Sequence, residues 1–117
     1  MIRKGLLLCV CQGNCPSFEG LDEYEALNRL RRDKLIDWVG IHPQLCSKDG
    51  DQYLIELLRG ANVDELYIGG CDPVMQEKMF KDAFEEAGFD KDKFKAVEIR
   101  NLNTDEVEEK LREAIGA

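Results

Sequence analysis

The chain has 117 residues, 16 basic against 24 acidic for a formal charge of -8, with 44 % hydrophobic and 34 % charged side chains. That size and mixture predict one domain spanning residues 1–117 around one core, and exclude a disordered tail and a membrane span. The acidic balance argues against nucleic acid and anionic membrane surfaces as partners, because both present phosphates that need a basic face.

The elements alternate along the chain. Gly5 to Val10 is apolar throughout, as a strand buried on both faces should be. A first helix is expected from about Asp22 to Arg31, with Asp22 as N-cap, Glu25 at the reciprocal third position, and Tyr24, Leu27 and Leu30 facing inward. Leu35 to Ile41 reads as a second strand, and Asp37 within it suggests an edge. A second helix follows Ser47, carries Leu54, Leu57 and Leu58, and stops at Gly60.

Glu65 to Gly70 is the third strand, and Asp72-Pro73 supplies the N-cap and first-turn pair of a third helix. Its inward stripe is Met79, Phe80, Ala83, Phe84 and Ala87, and Gly88 ends it. Phe94 to Ile99 is a short charged strand, hence a second edge. The last helix opens at Asn103, with Glu106 three residues on, and buries Val107, Leu111, Ala114 and Ile115.

This alternation predicts an α/β fold: a four-stranded parallel sheet with helices on both faces and right-handed crossovers. The two most apolar strands belong in the centre, which gives the flavodoxin-like order 2-1-3-4. Such sheets bind ligands beyond the carboxyl ends of the strands at the topological switch, here between the first and third strands.

Five cysteines are the chemical anomaly of the sequence. Their odd number does not suit an oxidised framework. The apolar run behind Arg3 and Lys4 is too short for a signal peptide and is followed by no small-residue cleavage site, so a cytoplasmic setting is expected. Cys9 and Cys11 straddle the end of the first strand, Cys46 follows the second, and Cys71 follows the third. The alternating topology therefore sends all four to one rim, where the amino ends of the second and third helices favour thiolates. A soft metal needs such a setting. The chain contains no Cys-x2-Cys, which removes the thioredoxin motif, the usual zinc ribbon and the bacterial ferredoxin run. An iron-sulfur cluster, a zinc site and free or redox-active thiols all remain compatible with the spacing.

The blocks Cys9-Val10-Cys11-Gln12-Gly13-Asn14, Leu45-Cys46-Ser47 and Gly70-Cys71-Asp72-Pro73, with Phe80, Glu86-Ala87-Gly88 and Val97-Glu98-Ile99-Arg100, resemble the N-terminal domain of the heterodisulfide reductase A subunit. More distantly, they are similar to the iron-sulfur delta subunit of methyl-viologen-reducing hydrogenase. The first resemblance covers about residues 5 to 100. It implies a [4Fe-4S] cluster, with [2Fe-2S] or zinc as alternatives, on Cys9, Cys11, Cys46 and Cys71. It also implies electron transfer to a redox partner, a flavin-containing or other iron-sulfur subunit.

In that family a flavin-binding domain follows. No dinucleotide fingerprint is present here, so no flavin is expected on this chain, which would be a stand-alone small subunit or an excised domain. Cys15 is an extra thiol in the same loop and a possible substitute ligand.

A thiol-enzyme alternative comes from Cys11 to Ser17, which is similar to the phosphate loop of low-molecular-weight tyrosine phosphatases and arsenate reductases. The arginine that should clamp the oxyanion is missing, since Cys15 and Ser17 stand six residues after Cys9 and Cys11. A structural zinc or metal-free interaction module is the other alternative. For the remaining residues the structural readings lead. Asp72 is a helix cap, Trp38 and Tyr67 are packing residues, and His42 is a solvated loop histidine. Gly69, Gly70 and Gly13 serve either tight turns or close backbone approach.

Overall fold

A computed structural model of the chain describes residues 2–9, 20–42, 45, 47–60 and 63–116. The strands are β1 (Lys4–Cys9), β2 (Trp38–His42), β3 (Glu65–Gly70) and β4 (Phe94–Glu98), and the helices are α1 (Glu23–Arg32), α2 (Lys48–Gly60), α3 (Pro73–Ala87) and α4 (Thr104–Ile115). All pairings are parallel in one sheet of order β2-β1-β3-β4, as the apolar central and charged outer strands require.

Alternation along the strands splits the core in two. Leu6 and Leu8 of β1 and Tyr67 of β3 face α1 and α4, where they meet Leu27, Leu30, Val107 and Leu111. Leu7 and Cys9, with Leu66 and Ile68, face α2 and α3 and pack on Leu54, Ile55, Phe80 and Phe84. Cys9 thus lies on the α2–α3 side at the carboxyl end of a central strand. Among the described residues no helix is long and apolar enough to cross a membrane.

Local chemistry explains most boundaries. The Asp72 carboxylate accepts from the amides of Val74 and Met75, with Pro73 in the first turn, and Gly88 closes α3 with φ of 73°. Asn103 and Glu106 form the reciprocal capping box of α4. The box expected at α1 is only half made. Asp22 accepts from Glu25 N, but Asp22 N donates to Thr104 Oγ1, and the Glu25 carboxylate is taken by Arg29 and Arg32.

Three inward or strand assignments need correction. Tyr24 is 69 % exposed, and Ala26 takes the inward place beside Leu27 and Leu30. β2 starts at Trp38 because Asp37 is bonded to Lys4: its carboxylate accepts from Lys4 N, and its amide donates to Lys4 O. In the third helix Gln76, buried like Phe80, extends the inward stripe by one turn toward the amino end.

Trp38 and Tyr67 are packing residues, as expected. The Trp38 ring lies over Gly5, where a Cβ would come within 2.2 Å of Cζ2. Tyr67 is buried and donates to Glu65.

Candidate metal centre

β1 and β3 are neighbours in register, Leu8 opposite Gly69, so the last residue of β1, Cys9, is flanked by Gly70, and Cys71 follows directly. A Cβ placed on Gly70 would sit 3.5 Å from the Cβ of Cys9. Cys9 and Cys71 therefore share the carboxyl rim on either side of the topological switch. Cys9 is buried and Cys71 half-buried. Cys11, Cys46 and the extra Cys15, with Gly13, lie outside the described residues. Among those described, no three His, Cys, Asp or Glu side chains group as a metal site would need.

The two described cysteines have surroundings that suit a soft-metal ligand role. The Sγ of Cys9 accepts a hydrogen bond from the backbone amide of Leu45 at 3.3 Å. An amide aimed at a sulfur orients it and tunes a metal bound to it. This donor comes from the chain ahead of α2, not from the helix itself. The expected contribution of helix-opening amides is smaller than the sequence suggests. In α3 the amides of Val74 and Met75 are turned onto Asp72, and in α2 Gly50 N donates to Ser47 Oγ. Asp72 is thus the capping device it was expected to be.

Charge near Cys71 comes from β4. Gly70 pairs with Glu98, and Ile99 N donates to Gly70 O at 3.0 Å, which brings Arg100 to the rim beside Cys71. The Arg100 guanidinium is bonded to the Glu98 carboxylate, which holds its pKa above the ordinary arginine value, with Asp72 and Cys71 adding smaller electrostatic support. Arg100 thus places a cation, paired with Glu98, beside Cys71.

His42 is no solvated loop residue: it closes β2, pairs in register with Cys9, and packs against Tyr53 of α2 in a tilted ring contact with centroids 4.9 Å apart. It is half-buried on the rim that carries Cys9. Gly69 is close-packed, its missing Cβ leaving 2.8 Å to Leu8 Cδ2.

Sequence reasoning missed Leu45, whose amide rather than side chain matters, and Gln76, the buried polar side chain at the rim. Gln76 left a legible signal, since it falls four residues before Phe80, in phase with the apolar stripe. An open groove lined by Ile2, Glu65, Tyr67, Phe94 and Lys95 lies at the opposite, amino end of the sheet and contains no cysteine, so the chemistry favours the carboxyl rim.

No family model matches the chain. Among curated proteins it is 26 % identical over 101 residues to the iron-sulfur A subunit of CoB–CoM heterodisulfide reductase from Methanocaldococcus jannaschii, covering 84 % of this chain and 15 % of that protein. It is 28 % identical over 100 residues to the A subunit of the ferredoxin/F(420)H(2)-dependent CoB–CoM heterodisulfide reductase from Methanosarcina acetivorans, covering 85 % of this chain and 12 % of that one. The chain resembles the heterodisulfide reductase A subunit. A third such protein, from Methanopyrus kandleri, is 22 % identical over 99 residues, covering 85 % of this chain. The chain spans 12 % to 15 % of the length of these relatives.

Proposed function

We propose that this chain is an iron-sulfur electron-transfer domain or small subunit of a heterodisulfide-reductase-like oxidoreductase assembly. The observation that carries this reading is the shared rim. Cys9 and Cys71, distant in sequence, end adjacent central strands at the switch point, and Cys9 already receives an amide hydrogen bond. The similarity to the heterodisulfide reductase A subunit supports the same reading.

The proposed ligands are Cys9, Cys11, Cys46 and Cys71, with Cys15 as the possible substitute. When bound, a [4Fe-4S] cluster there supplies one-electron uptake and release. The Leu45 amide holds the Cys9 sulfur as an acceptor, and Arg100 offsets negative charge gathering near Cys71. The apolar side chains around Cys9, among them Leu7, Leu45 and Leu54, exclude water from the inner side of the site. The proposed partner is a flavin-containing or other iron-sulfur subunit in a reducing, cytoplasmic setting, with no flavin on this chain.

Anaerobic reconstitution with iron and sulfide tests the reading. The expected product is brown, absorbs broadly in the visible, bleaches with dithionite, and loses its colour in Cys71→Ser. A colourless protein binding one zinc per chain would replace this reading with a structural zinc module.

A further inference from the structure

Gln76 is 1 % exposed, at the fourth position of α3, directly beneath the cysteine rim. Its Nε2 donates to the carbonyl of Cys71 at 2.8 Å and reaches the carbonyl of Val97 in β4 at 3.5 Å. The same nitrogen lies 3.5 Å from the position of a Cβ on Gly70, the space beside the Cβ of Cys9. Its Oε1 is buried with no hydrogen-bond partner among the described residues. A buried acceptor without a partner costs free energy. Methionine would fill the same length without that cost, so what the glutamine adds is the work of its nitrogen.

That work falls on one residue. The last rung between β3 and β4 is Ile99 N to Gly70 O, and the next fixed point along the chain is the Asp72 cap on α3. Cys71 stands between them, where the chain leaves the sheet and turns into the helix. Gln76 holds the Cys71 carbonyl inward at this turn.

We infer that Gln76 is a positioning residue for Cys71, setting the direction of its Cα–Cβ bond and hence the place of its sulfur on the rim. The inference deepens the proposed function and rests on it for the use made of Cys71, but its geometry is separately testable.

The experiment uses the metal-free, reduced 117-residue chain and iodoacetamide, with site-resolved alkylation rates read by peptide mass spectrometry. Gln76→Met should speed alkylation at Cys71 by about fivefold to tenfold, the local opening expected on losing one buried hydrogen bond. Ala83→Gly weakens the same helix without touching Cys71, and should leave the rate within about twofold of the parent. Gln76→Asn keeps a carboxamide on a shorter stem and should lie between the parent and Gln76→Met. It also serves as the decisive variant if Gln76→Met does not fold.

Unchanged Cys71 rates in a folded Gln76 variant, or an equal rise in Ala83→Gly, would overturn the inference. Reconstitution gives a second readout: Gln76→Met should bind a cluster with a midpoint potential shifted from that of the parent. If the parent binds no cluster the proposed function fails, while the alkylation rates still decide the role of Gln76.

Discussion

On the α1–α4 face the helices are held together by charge over an aliphatic core, whereas the α2–α3 face combines an aromatic cluster with the side chains that reach the cysteine rim. Arg29 of α1 bonds Glu25 in its own helix and Asp105 and Glu108 of α4, and Arg112 of α4 bonds Glu108 and Asp33. Opposite them, Phe80, Phe84, Phe89 and Phe94 pack in tilted and edge-on pairs at centroid distances of 4.9 to 6.3 Å, and Cys9, His42 and Gln76 lie toward the carboxyl end. One face supplies stability with redundant, exchangeable contacts. The other holds specific atoms in specific places, so a small change there should disturb the chemistry of the rim as well as stability.

Four substitutions or conditions put this contrast to the test. The largest stability effect is expected at Leu111, fully buried on the α1–α4 face, where Leu111→Ala should cost about 2–5 kcal/mol in denaturant unfolding. In the fraction that stays folded, Cys71 alkylation and metal binding should be unchanged.

Gly50→Ala reverses the pattern. A Cβ on Gly50 would meet the Leu45 backbone oxygen at 2.2 Å, a clash that no side-chain rotation relieves. The expected cost is about 1–3 kcal/mol, and the displaced Leu45 amide should release Cys9. Faster Cys9 alkylation and weaker iron binding would show it. Equal Cys9 reactivity in parent and variant would contradict the role given to Leu45.

Asp72→Ala removes the cap of α3 and should cost about 0.5–2 kcal/mol. Losing the Asp72 charge and freeing the Val74 and Met75 amides at the rim both favour the reduced, more negative cluster, so the potential of a reconstituted cluster should rise. An unchanged potential would mean that neither reaches it.

Smallest is the pH effect. Arg112 and Arg29 hold Glu108 below the usual carboxylate pKa, so folding favours its ionised form. That contribution is fully present above the ordinary glutamate value and is lost as pH falls through the depressed folded value. Glu108→Gln should flatten the acid limb of a stability-against-pH curve and leave the rim untouched. The salt-screened, partly exposed setting keeps the effect modest.

The topology was legible because burial on both faces leaves a plain mark. The apolar runs at Leu6–Cys9 and Leu66–Gly70 could only be central, and the charges in Phe94–Glu98 placed that strand at an edge. Caps were legible where one short segment holds both partners, as with Asp72-Pro73 and Asn103 with Glu106.

What escaped depends on groups far apart in sequence. Asp37 leaves the strand because Lys4 bonds it, and the α1 box fails because Thr104 takes the Asp22 amide. At the site, the pattern of strand ends predicted one rim for Cys9, Cys11, Cys46 and Cys71; the structure places Cys9 and Cys71 there, and the other two lie outside the described residues. That pattern could not reveal the Cys9 sulfur's actual donor, since the amide of Leu45 has no side-chain signature.

The proposed function stands or falls on four sulfurs, distant along the chain, gripping one inorganic centre. Iron and acid-labile sulfide in anaerobically reconstituted protein, measured for the parent and for single serine variants of each cysteine, decide the matter. About four iron and about four sulfide per parent chain are expected. Both should be lost on changing Cys9, Cys11, Cys46 or Cys71, and both retained on changing Cys15. Full iron and sulfide content in Cys71→Ser would contradict the proposal.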